Sequence, residues 1–174
     1  MRTLAPLLLF ALAVPCSSRA SDNPAPVERQ TLDAALVLTG YAIAKLPIEL
    51  ASVAPNGASQ GVEGWTLYRA DGQGERIVVY SESAIFRCAS RPDTNTESHQ
   101  CLLRLASVIV HEAWHYSHGR QEEDAYGAQL SFLRANHASD AQIAAVQVAR
   151  DRVVGAVTRA VRDRASERGS PGAP

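Results

Sequence analysis

Apolar positions along the chain fall into two periodicities, and one long run in its second half is apolar nearly all round a helix, with no strand-like alternation. Leu102, Leu103, Leu105, Ala106, Val108, Ile109, Val110, Ala113 and Trp114 cover nearly the whole circumference of a helix, the pattern of an element buried on all sides. Gly119 is placed to end it in a left-handed conformation. A second helix then runs through Ala125, Ala128, Leu130, Phe132 and Leu133. Ser139 as N-cap and Asp140 in the first turn introduce a third. Its stripe of Ile143, Val146, Ala149, Val153, Val157, Ala160 and Val161 is amphipathic, placed to cover the two preceding helices from behind. Upstream, Leu32 to Leu46 reads as a helix stopped by Pro47, and Ile48 to Val53 as a first strand. Pro55-Asn56-Gly57 and Gly61 to Gly64 mark a loop. Trp65 to Arg69 and Arg76 to Ser81 bracket Ala70 to Glu75 as a β-hairpin. The expectation is an α+β domain: a small three-stranded sheet packed on the buried helix, with two to three further helices. No internal repeat is apparent.

The ends change that picture only by trimming it. Met1-Arg2, an apolar core from Leu4 to Val14 and small residues at Ser18 and Ala20 have the layout of a secretory signal peptide over residues 1–20, cleaved after Ala20. The apolar core is too short for a membrane span. Cys16 raises a lipoprotein anchor as the alternative, which Pro15 disfavours. Residues 21–168 then form one domain, and residues 169–174 a flexible tail. A secreted or periplasmic location follows.

Composition removes some classes of partner. With 17 Lys and Arg against 18 Asp and Glu, the net charge of −1 argues against a nucleic-acid binder. The arginines between Arg150 and Arg168 alternate with Asp151, Asp163 and Glu167, as on the solvated face of a helix. Cys88 and Cys101 form an even pair in an oxidising compartment and are expected to be a disulfide holding the start of the buried helix against the preceding strand. Their spacing does not resemble a CxxC metal site.

Chemistry enters at His111-Glu112-Ala113-Trp114-His115, an HExxH motif inside the buried helix. At 100° per residue, His111 and His115 project from one face about one turn apart and can share one zinc ion. Glu112 lies one step round, beside the ion, where it can act as general base toward a Zn-activated water. Two imidazoles and a carboxylate in an apolar helix need partners, because unpaired burial costs several kcal/mol. A third protein ligand is required, and Glu122, Glu123 and Asp124 are the candidates. On an unbroken helix Glu122 would lie about 10 Å beyond His115, so the helix must stop near Gly119. His118 stays open as an alternative ligand, a hydrogen-bond donor or a polar residue of the last turn.

His111-Glu112-x-x-His115 followed by Glu122-Glu123-Asp124-Ala125-Tyr126 resembles the gluzincin branch of the zinc metallopeptidases, over roughly residues 77 to 133. The metzincin pattern fits poorly, since its glycine and third histidine would fall on His118 and Gln121. The resemblance implies a minimal zincin-like fold with a glutamate ligand on the second helix. Small gluzincin-like families carry that glutamate three residues before an alanine, which selects Glu122 ahead of Ala125. It further implies a monomeric hydrolase of peptide or protein substrates, with the strand Ile77 to Ser81 bordering the cleft and offering a free edge to an extended substrate. Tyr116, His118, Tyr126 and His137 are candidates for stabilising the oxyanion. The competing expectation is an exported scaffold that retains zinc without turnover, its fourth coordination position closed by His118.

Overall fold

A computed structural model of the chain describes residues 25–54, 61–92 and 96–168. Residues 1–20, read above as a signal peptide, the Pro55-Asn56-Gly57 segment read as a loop and the segment from residue 169 read as a tail lie outside the described residues. Nine elements follow in order: α1 (Pro26–Thr39), α2 (Tyr41–Ala44), β1 (Ile48–Ala51), β2 (Gly64–Tyr68), β3 (Gly74–Tyr80), α3 (Ala84–Ala89), α4 (Thr96–His118), α5 (Glu122–Ala135) and α6 (Asp140–Arg168). The class is α+β, with one mixed three-stranded sheet and six helices among the described residues.

α4 runs through the middle. It packs against α1, α3, α5, β2 and β3, and Leu105, Ala106, Ser107 and Ile109 are all fully buried. Each large apolar side chain so buried contributes about 1.5–3 kcal/mol, so packing of its upper turns sets the position of this helix. The main core joins Leu32 and Ala35 of α1, Val79 of β3, Phe86 of α3 and Leu105, Ala106 and Ile109 of α4. One buried polar pair is matched across the α4–α5 contact: Gln129 of α5 donates from Nε2 to Ser107 Oγ at 3.1 Å.

The sheet order is β1-β3-β2, with β1 parallel and β2 antiparallel to β3. The hairpin is formed as expected, its turn closed by Arg69 N–H to Gln73 O at 2.9 Å and Gly72 at φ 83°. One expectation fails here. β3 is the central strand, buried at Ile77, Val78 and Val79 and paired on both sides, so it has no free edge for a substrate. β1 and β2 are the outer strands, and β2 is the one that borders the cleft.

Four other departures have local causes. The first helix begins earlier than its apolar stripe, at Pro26, with the Glu28 carboxylate accepting from Ala25 N–H at 2.9 Å; it breaks at Gly40, φ 89°, leaving α2 as a separate turn. α3 has no counterpart in the sequence reading, because six residues are too few to show a period. Ser83 nevertheless caps it, its hydroxyl accepting from Phe86 N–H at 3.1 Å. The Cys88–Cys101 disulfide is present, and it ties α4 to α3 rather than to a strand. α6 packs chiefly on α5, through Leu130, Leu133, Ala138 and Val146, and touches α4 near its start, where Gln142 Nε2 donates to Gln100 O at 2.6 Å.

Two glycines let the sheet approach α4. A Cβ on Gly64 would stand 3.1 Å from Val78 O and 3.3 Å from a Val108 methyl. On Gly74 it would fall 2.5 Å from the carbonyl oxygen of Tyr116 and 2.8 Å from its Cα. Backbone cannot step aside as a side-chain tip can. Gly74→Ala should therefore destabilise the fold by about 1–3 kcal/mol, read as a lower midpoint in chemical denaturation; an unchanged midpoint would show that the β3–α4 approach is not tight.

Candidate metal centre

His111 and His115 lie on the buried last turns of α4, 8% and 6% exposed. α4 then ends at His118, and Gly119, at φ 95°, donates its N–H to His115 O at 3.0 Å. Only a residue tolerant of positive φ closes the helix this way. Arg120 and Gln121 complete the turn and α5 starts at Glu122. The early stop required of the helix is therefore met, and Glu122 comes back beside the two histidines.

Three ligand-type atoms converge. His111 Nε2 and His115 Nε2 are 3.1 Å apart, and Glu122 Oε2 lies 3.4 Å from the first and 3.6 Å from the second. His115 Nδ1 donates to Gly119 O at 2.7 Å, which leaves its Nε2 as a lone pair facing His111. A proton shared by the two nitrogens would satisfy one edge of this triangle; a cation at its centre satisfies all three. A tetrahedral ion with bonds of about 2.0–2.1 Å separates its ligands by about 3.3 Å, close to the three spacings seen. The cluster can hold a metal ion, and it is the one His/Cys/Asp/Glu group among the described residues with that geometry.

The hydrogen bond from His115 Nδ1 is the outer contact that orients a ligating imidazole. His111 has none: its Nδ1 is buried without a partner. Its ring is instead held by packing, with the Tyr126 ring edge-on at 4.5 Å and that of His115 at 4.7 Å. The adjoining His111 and His115 rings hold the Glu122 carboxyl down to about 2. Burial alone would lower the His115 pKa, but Glu122 and the Gly119 carbonyl outweigh it and the net shift is upward.

Glu112 sits beside this triangle, buried, with burial pushing its carboxyl pKa up against the opposing effects of His111 and Thr66. Thr66 Oγ lies 2.9 Å from both Glu112 Oε2 and Glu112 O. That hydroxyl on β2 has one proton to donate, to the Glu112 carboxylate or to the Glu112 carbonyl. Gly64 and Thr66, alternate residues of β2, face α4, and Tyr68 lines the same cleft.

Compared with protein-family models, curated proteins and solved structures, the chain matches none.

Two cavities meet at the cluster. One, of about 560 Å³, lies between β2, the two histidines, Glu112, Arg120 and Glu122. The other, of about 350 Å³, runs past Tyr126 and Gln129 to Ala149 and Val153 of α6. Arg104 also lines it, paired with Glu63 at 3.4 Å. Of the residues singled out from sequence as oxyanion candidates, Tyr126 alone reaches these walls. Tyr116 lies under the β2–β3 hairpin against Gly74. His118 stacks on Trp114 at 4.7 Å, its Nδ1 3.1 Å from Trp114 O, outside the triangle. His137 occupies the α5–α6 turn at φ 54°. Thr66, Tyr68 and Arg120 escaped the sequence reading. The alternation of Gly64, Thr66 and Tyr68 was visible, but nothing local says which face of the strand meets α4.

The neighbouring acids separate cleanly. Glu123 reaches Arg150 of α6 at 2.8 Å, and Asp124 is exposed. Glu122→Ala should abolish retention of a divalent ion, whereas Glu123→Ala and Asp124→Ala should retain it, measured by metal analysis after dialysis. Equal retention in all three would remove Glu122 from the centre. Because an ion must displace any proton on the imidazoles, apparent affinity in chelator competition should fall as pH drops through the imidazole range. The raised His115 value starts that fall above the ordinary value of about 6.5, long before Glu122 protonates near 2.

Proposed function

We propose that the protein is an exported zinc-dependent hydrolase of gluzincin-like type with a minimal zincin-like fold, acting on peptide bonds. The observation that carries the reading is the His111–His115–Glu122 triangle, with edges of 3.1–3.6 Å, open to a cleft in which Glu112 stands beside it. Two imidazoles and a carboxylate suit Zn²⁺. When bound, such an ion supplies Lewis acidity, lowering the pKa of a water and polarising a carbonyl. The Cys88–Cys101 disulfide supports an oxidising compartment, and no helix among the described residues is long and apolar enough to cross a membrane.

The protein's own groups have separable tasks. Glu112, its pKa raised toward the working range by burial, takes the proton of the attacking water and returns it to the departing amine. Thr66 holds that carboxylate through its hydroxyl. Tyr126 in one cavity and Tyr68 in the other bring phenol donors to the walls, the group type that stabilises a developing oxyanion. An extended peptide can lie along β2, whose outer edge is unpaired among the described residues. The zinc-retaining scaffold reading needs a fourth protein ligand, and the placement of His118 against Trp114 speaks against it.

Glu112→Gln should keep the bound zinc while lowering peptide hydrolysis at least about 10²–10⁴-fold, followed by mass spectrometry on a peptide library. Hydrolysis at the wild-type rate would reject Glu112 as the base. Thr66→Val preserves shape and removes the hydroxyl, so metal content should hold while kcat drops roughly tenfold.

A further inference from the structure

The turn that delivers Glu122 also delivers a cation. Arg120 is one of two arginines in the cavities that meet at the metal cluster, and their situations differ. Arg104 is largely buried, its side chain 16% exposed, and Glu63 neutralises it at 3.4 Å. Arg120 is exposed at the wall of the larger cavity and makes no ion pair among the described residues.

Its position is nevertheless constrained. The preceding residue, Gly119, is fastened to His115 through both its N–H and its carbonyl, at 3.0 and 2.7 Å. Its guanidinium carbon rests 4.5 Å from the ring centre of Tyr68, the last residue of β2. A ring contact of this kind neutralises no charge. The guanidinium thus keeps its full charge and a planar fork of donors suited to a carboxylate. It lines the same cavity as Thr66 and Glu112. A cation held next to a hydrolytic centre, and left without an acid of its own, is placed to read a charge on the substrate.

We propose that Arg120, supported by Tyr68, is a carboxylate-binding subsite, and that the preferred substrates carry a carboxylate close to the scissile bond. That group is either the free C-terminus or an Asp or Glu side chain. The assignment rests on the hydrolase reading above and names its substrate class.

Three hydroxamates with one zinc-binding end distinguish the cases: malonyl hydroxamate coupled to leucine, to leucine amide and to glutamate amide. Binding to the zinc-loaded protein is measured by calorimetry at low salt. The leucine acid or the glutamate amide should bind about tenfold more tightly than the leucine amide, and which of the two does so identifies the source of the carboxylate. Arg120→Gln should erase that preference while leaving leucine amide affinity, zinc content and the unfolding midpoint unchanged. Equal binding of all three, or a preference that survives Arg120→Gln, would overturn the subsite and leave the hydrolase reading intact. Failure of even the leucine amide to bind a zinc-loaded protein would overturn both.

Discussion

Ionisable side chains carried on a helix buried in the core constrain everything around them. α4 is held in place by apolar packing on several sides, and two imidazoles and a carboxylate on its last buried turns are withdrawn from water with it. Such groups demand partners. They receive them because the helix stops at His118 and the chain reverses through Gly119. The reversal satisfies His115 Nδ1 with the Gly119 carbonyl and brings Glu122 to the two Nε2 atoms. Were the helix to continue, Glu122 would be carried away and the buried cluster left incomplete.

The sheet answers the same demand from the other side. Gly64 and Gly74 remove side chains where β2 and β3 meet α4, and this close approach puts the Thr66 hydroxyl within hydrogen-bond distance of Glu112. Glu112 is thereby held by the strand while His111 and His115 face Glu122. The division of roles among three residues of one helical segment depends on what each meets across the interface. The cleft walls are unequal for a related reason: Arg104, deep beside Glu63, is balanced, whereas Arg120, on the exposed turn, rests on an aromatic ring and has no ion pair among the described residues.

Much of this was legible in the residues themselves. The all-round apolar pattern from Leu102 to Trp114 announced a buried helix, Gly119 its end, and the acidic start at Glu122 the next helix; each signal lies within a few residues of the feature it specifies. The hairpin and the cap at Ser139 were local in the same sense. What escaped was short or distant. α3 has too few residues to show a period, and the break at Gly40 is hidden in an Ala-rich stretch that favours helix on both sides.

By itself, the sequence determined that His111 and His115 share one helical face, that Glu112 stands beside them, and that the helix must end before Glu122. Backbone periodicity and one glycine suffice for that. Only the tertiary structure decided that Glu122 closes the triangle while Glu123 turns to Arg150. It alone made β3 central and β2 the wall of the cleft, and brought Thr66, Tyr68 and Arg120 to the site. These outcomes depend on strand order and on which face of a strand meets a helix distant in the chain. Such choices are made by packing between remote segments, and the local pattern of a strand is the same for either face.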